Sequence, residues 1–225
     1  LTGGTVISEE VGLSLEGAKL NGAKLSHADF SHVNARGANL SSADLKGVTL
    51  DHADLISAQL NNADLTSASL LETQRGGVNF EGAILNETQI TNADLSGARL
   101  IQCSARQAHW KEVNLKGAQL EHVDLTDSVL EGLVAEWSQF TDVHFERAKI
   151  SGGRWDGAKL TRPILQGVVG HNFSWANQDL SNVDLRNSTF SDVDMSGVNF
   201  TAATLKNARL DGVLFEGATL NEADL

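Results

Sequence analysis

A beat of five residues runs from Leu15 to Leu225 without one shift of phase, and it leaves this chain very few folds. Positions 15, 20, 25 and onward carry Leu, Phe, Ile, Met or Trp. Residues 11–225 divide into 43 fives, of which 38 obey; the exceptions are Ala35, Arg75, Ala105, Ala135 and Gly170. Two positions earlier sits a small apolar residue, Ala or Val in 31 of the 43. Words such as Ala63-Asp64-Leu65 and Ala93-Asp94-Leu95 recur throughout. Repetition of this density sets the architecture before any single residue does.

An amphipathic helix needs apolar residues at a spacing of 3.6 and a simple strand at a spacing of 2. A sustained five with inward residues at i−2 and i is neither. It suits a chain that runs extended for two or three residues, turns, and repeats. Inward residues two apart fit a strand, the residue between them points outward, and the two residues after the large one form the turn. The second turn residue is often Gly (Gly17, Gly22, Gly37, Gly47) or Asn, Asp or Ser, the types that tolerate turn conformations.

The pattern Ala-Asp/Asn-Leu-x-x resembles the pentapeptide-repeat family across residues 11–225. The resemblance implies an all-β fold, a right-handed quadrilateral parallel β-helix in which four fives close one coil of 20 residues. The 43 fives then make ten to eleven coils, and at ~4.8 Å per coil the rod is roughly 50 Å long. The ladders 20 residues apart bear this out independently. The series Leu20, Leu40, Leu60, Phe80 and onward to Leu220 has no lapse, whereas the series starting at Leu15 holds Ala35, Arg75 and Ala135. Such unequal faces belong to a four-sided object. Volume trades within single fives, Leu133 with Ala135 and Gly153 with Trp155, are what a close-packed interior demands.

Residues 1–10 lie outside the beat, and Val6 and Ile7 are expected to lie across the first coil as a cap or lead-in. The chain ends on a whole repeat, Ala223-Asp224-Leu225, and begins with Leu rather than Met. We expect a domain excised from a larger bacterial protein.

Charge and composition narrow the function. Seventeen Lys and Arg against 29 Asp and Glu give −12, which disfavours direct contact with nucleic acid or anionic membranes. No apolar run approaches the ~18 residues of a membrane span. The lone Cys103 occupies a small-residue slot and reads as a buried structural thiol. The cytoplasm is the expected compartment, with a secretion-associated setting as the alternative. A solid rod offers no concave site, so neither catalysis nor a cofactor is expected. His32 and His52 share a ladder with Glu72, but ladder side chains point the same way rather than converge on one ion, so no metal is expected.

Three stretches keep the phase and lose the consensus: Leu71–Gly77, Ile101–Trp110, and residues 129–178, which hold Trp137, Trp155, Pro163, Gly170, Phe173, Trp175 and Gln178. Arg75 occupies a core slot, where an unpaired guanidinium would cost several kcal/mol; we expect it to escape outward through a bulge at Gly76-Gly77. Outward positions after residue 125 are unusually apolar: Val129, Val134, Trp137, Ile164, Val169 and Leu214. An apolar patch beside a large aromatic marks a protein interface. The first five of these and Arg75 are the candidate partner-binding set. Around them the cations Arg147, Lys149, Arg154, Lys159 and Arg162 outnumber Glu146 and Asp156.

The reading is a non-catalytic, rigid interaction or scaffold module that binds another protein, with end-to-end homodimerisation through the C-terminal coil as one mode. Similar repeats occur as appended domains in bacterial effector and secretion-associated proteins, which is analogy. The resemblance supplies the alternative, a DNA mimic that protects gyrase. The charge of −12 suits it. Against it stand the interruptions of the acidic ladder Asp44, Asp64, Asp124, Asp184, Asp224 by Ile84, Ser104, His144, Ile164 and Thr204. The loop insertion and C-terminal dimerising helix frequent in gyrase-protecting relatives have no counterpart in the sequence.

Overall fold

The five-residue unit closes on itself before it meets its neighbours. In a computed structural model, which describes residues 13–73 and 77–225, the described units end in a turn or bend, and in many of them its fourth residue donates to the first. Ala18 N–H meets Leu15 C=O at 2.9 Å, and Ala63 N–H meets Leu60 C=O at 3.0 Å. The second turn residue takes positive φ: +64° at Gly97 and +57° at Asn62, but also +59° at His52 and Trp137. The outward Asp or Asn locks the turn by accepting the N–H two residues on, as Asp64 does from Thr66 (3.1 Å) and Asp94 from Ser96 (3.0 Å). The caps expected from Val6 and Ile7, and the bulge expected at Arg75, lie outside the described residues.

Four such units make a coil, because every backbone pairing joins residues 20 apart and every pairing is parallel. Four faces follow, named here by their first large residue: Leu15, Leu20, Leu25 and Phe30. On the Phe30 face, three-residue strands from Ser69–Leu71 to Arg209–Asp211 form one eight-stranded sheet. On the Leu20 face, Arg99–Ile101, Gln119–Glu121, Gln139–Thr141 and Lys159–Thr161 form a four-stranded one. Elsewhere pairing narrows to single bridges with the same offset, from Ser14↔Asn34 to Thr204↔Asp224. The chain is a four-faced parallel β-solenoid. The continuous eight-stranded sheet spans seven of the ten to eleven coils, and the bridges extend it at both ends.

The interior is one column in which, among the described residues, the large and the small residue of nearly every five are buried from Phe30 to Leu205; Gly153 and Gln178 are the departures. At some slots where a hydroxyl replaces the small apolar residue it turns back on its own unit: Thr88 Oγ1 donates to Leu85 C=O (2.8 Å) and Ser188 Oγ to Leu185 C=O (2.6 Å). This local bond offsets the cost of burying the group, whereas Thr73 and Ser128 are buried in the same kind of slot with no partner for their hydroxyls among the described residues. Cys103 is buried too and donates to Phe80 C=O at 2.8 Å.

Candidate functional site

The ladders have one gap. Among the described residues every rung pairs with the next on all four faces, except between residues 154–164 and 174–184. Arg154 is not paired with Ser174, Lys159 with Asp179, or Ile164 with Asp184, whereas the rungs before and after are intact. The Phe30 face stays closed, with Val169–His171 paired to Lys149–Ser151 on one side and Thr189–Ser191 on the other. The solenoid is therefore split on three faces and hinged on the fourth.

Side-chain volume accounts for the wedge. Trp155 and Trp175 are successive rungs of the Leu15 face and meet edge to face with ring centroids 6.0 Å apart, more than the ~4.8 Å that separates paired rungs. Phe173 fills a slot that usually holds Ala or Val, and its ring centroid lies 4.9 Å from that of Trp175. The hinge face, by contrast, gives up volume. Gly170 stands where a large residue belongs, and a Cβ there would approach Phe190 to 2.7 Å and Phe173 to 2.9 Å. Surplus on one side and deficit on another prise the coils apart about the glycine.

Opposite the hinge, Gln178 enters the gap. Its slot usually points a small residue inward, but a carboxamide there needs partners. Gln178 Nε2 donates to Ala158 C=O (2.8 Å), and its Oε1 accepts from Leu160 N–H (3.0 Å). In an intact coil these two groups belong to the neighbouring backbone: Asn39 donates to Ala18 C=O and accepts from Leu20 N–H, both at 2.8 Å. One side chain thus stands in for a peptide group.

The split opens at the corner of the Leu15 and Leu20 faces as a cavity of about 720 Å³, lined by Trp137, Trp155, Asp156, Lys159, Gln178 and Asp179 among others. The expectation of a solid rod without a concave site fails here, because phase counts residues and is blind to side-chain thickness. Trp137 forms the lip. It is 66% exposed, adopts a φ rare for a bulky residue, and packs its ring against Gly157 one coil on. Trp155 is buried, and its indole N–H has no acceptor among the described residues.

The other candidates disperse. Val129 and Val169 share the Phe30 face but are separated by the rung of Lys149. Val134 is half-buried on the Leu15 face next to Arg154, close to Trp137 along the chain; Ile164 lies on the Leu25 face beside His144. Five outward apolar residues thus sit on three faces, not in one patch, and Arg75 falls outside the described residues. The local cationic excess is largely neutralised one coil back: Arg147 pairs with Asp127 (2.7 Å), Arg154 with Glu136 (3.2 Å) and Arg162 with Asp142 (2.6 Å). His32 and His52 stack with centroids 4.6 Å apart and planes 11° from parallel, and His52 Nδ1 lies 3.3 Å from Glu72. Among the described residues no three His, Cys, Asp or Glu side chains gather as a metal site would require, and no helix is long and apolar enough to cross a membrane. Sequence reasoning marked Gln178 as a departure without giving it a role, counted Asp156 only towards the local charge, and passed over Asp179.

The pentapeptide-repeat family model matches overlapping stretches that together cover residues 14–132 and 179–225. The chain belongs to the pentapeptide-repeat family. The stretch the repeat model does not match, 133–178, contains the whole Trp137–Gln178 region. No curated protein matches the sequence. Among solved structures, HetL is a pentapeptide repeat protein involved in heterocyst differentiation regulation from the cyanobacterium Nostoc sp. strain PCC 7120. It is 26% identical over 95% of this chain and 85% of its own, with a TM-score of 0.39. A trypsin-treated variant of QnrB1, a plasmid-mediated fluoroquinolone resistance protein, is 22% identical over 92% of this chain and 89% of its own (TM-score 0.37). A pentapeptide repeat protein of the Arabidopsis thaliana thylakoid lumen is 23% identical over 53% of this chain and 66% of its own (TM-score 0.26). These superpositions are loose, and membership rests on the repeats themselves.

Proposed function

We propose that this pentapeptide-repeat rod is a non-catalytic interaction module whose protein partner docks at the corner formed by Trp137 and the split coils. One observation carries the reading: among the described residues Trp137 is the exposed large aromatic, held at positive φ on the lip of the cavity. Strained, exposed aromatics at a concave edge are the residues on which interfaces concentrate their energy.

The acidic rungs favour this over duplex mimicry. Asp64 is bonded to Thr66 and Lys46, and Asp124 to Thr126 and Arg106, so these carboxylates serve turns and neighbouring coils. Capture of partners from extracts of the source cells by the purified chain tests the proposal. Trp137→Gly suits the turn's backbone and should leave melting unchanged while weakening capture at least ~10-fold, as loss of a hot-spot residue does. Undiminished capture would sink it. Protection of purified gyrase from a quinolone would instead support mimicry.

End-to-end pairing through the last coil is the second mode. Its inward Leu220 and Leu225 are 42% and 77% exposed. Sedimentation should show a dimer that Leu220→Lys dissociates; a monomer at all concentrations removes this mode.

A further inference from the structure

The split leaves two strand edges facing each other with their hydrogen-bonding groups unused. On the first rim the N–H groups of Trp155, Gly157 and Leu165 make no hydrogen bond to protein, and on the second those of Ser174, Asp179 and Asp184 make none. In every intact coil the equivalent groups are paired, for example Leu95 N–H with Asn114 C=O and Gly97 N–H with Lys116 C=O. An unpaired strand edge is a template for another strand, so these rims offer their free N–H groups to complementary amides.

Gln178 already shows what the gap accepts. A single planar amide sits between the rims, donating to one and accepting from it in the positions a strand would use. The hinge adds the necessary freedom. Inserting a strand requires the rims to stand two strand spacings apart, ~9.6 Å instead of ~4.8 Å. The backbone bonds that still span the gap are those of the Phe30 ladder and the Gly167 N–H to Arg186 C=O bond beside it, on the far side of the coil; at the open corner only the two bonds of Gln178 cross, and an incoming strand would replace them.

Charge and aromatic surface then select the guest. Asp156 and Asp179 line the cavity together with one cation, Lys159, and the exposed ring of Trp137 stands beside them. Hydrogen bonding from Ser181, with Asn199 adding to it, holds the Asp179 carboxyl below its ordinary range, so it is charged at neutral pH. The chain as a whole carries −12. A cationic side chain over a tryptophan face with carboxylates within reach is favoured, and long-range charge steers it there.

We propose that the split between residues 154–164 and 174–184 is a docking slot for one extended peptide segment of the partner, bearing an arginine or lysine that seats against Trp137. Backbone pairing with the rims supplies affinity and the corner supplies selectivity, as in other strand-addition complexes. The inference rests on the interaction-module reading and names the kind of segment the partner presents.

The test uses the full chain and a capped peptide of alternating Thr and Val with one central Arg, followed by amide NMR. Binding at a Kd of about 100 μM should shift and protect the amide protons of Trp155, Gly157 and Asp179. Methylating alternate backbone nitrogens of the peptide should abolish binding, Arg→Glu in the peptide should weaken it at least ~10-fold, and Trp137→Gly in the rod should do the same. Absence of saturable shifts at those amides up to about 5 mM, or equal binding of the methylated peptide, overturns the slot. If the peptide fails while Trp137-dependent capture of a folded partner persists, the slot falls and the module stands. If both fail, both readings fall.

Discussion

Cys103 illustrates how a single residue can be silenced by its position. It lies in a small inward slot, donates to the Phe80 carbonyl, and burial pushes its thiol up to about 12. The thiolate is the reactive form, so at pH 8 a disulfide reagent should label native Cys103 at least about a thousandfold more slowly than the unfolded chain. Rapid stoichiometric labelling without loss of structure would contradict the packing. Gln178 is the opposite case. Nothing in its identity says that its amide leaves the core, because that follows only from the coil beside it having moved away. Its presence in a slot otherwise held by small residues was the available signal.

At the scale of the five-residue unit, the residue between the inward pair does two jobs. Asp and Asn there keep the face wet and also close the turn. In Asp29 and Asp194 hydrogen bonding, foremost from the side chains of Ser31 and Ser196, lowers the carboxyl below its ordinary value. In Asp64 burial pushes upward but is outweighed by Thr66 and Lys46. A carboxyl lowered in the folded state stabilises fully above its unfolded value, about 4, and the benefit disappears as pH falls through the folded value. The melting temperature should therefore be flat from neutral to about pH 5 and fall below about pH 4, a course that thermal melts across pH 2–7 would check. Because these sites are largely exposed, each contributes little by its charge. Asp64→Asn keeps the acceptor and should soften the acid fall; Asp64→Ala removes it and should cost about 1 kcal/mol at neutral pH. A profile identical to the parent in both variants would contradict the dual role.

This unit was also the part most legible in sequence. Phase, faces, inward pair and turn could all be read from spacing, since each depends on residues within one coil. Two things could not. The turn accepts His, Glu, Arg and Trp at positive φ as well as Gly and Asn, because pairing on both sides imposes the conformation whatever the residue. Neither could proximity across coils be read from apolar character. Val129 and Val169 are two coils apart with Lys149 on the rung between them, and the carboxylates that pair with the cations of 147–162 lie one coil back.

Across the whole molecule the volume imbalance around Gly170 decides where regularity ends. If Gln178 is the wedge that completes the opening, Gln178→Ala restores the usual small residue and lets the rims approach. Amide exchange at Asp179 and Ser174 should then slow by at least about tenfold, while exchange on the Phe30 face stays unchanged. If exchange at those amides does not change, the aromatic cluster alone holds the coils apart.

The same hinge gives the rod a direction of weakness. Along most of its length four ladders carry any axial pull together, but between residues 154–164 and 174–184 a single ladder remains. Under tension, or when a partner tugs on one end, strain gathers on Val169–His171 and its two neighbours, the Gly167 to Arg186 bond beside them and the two bonds of Gln178, instead of spreading along the column. The rod is stiff as two segments and compliant at one joint, so its ends can be aimed independently.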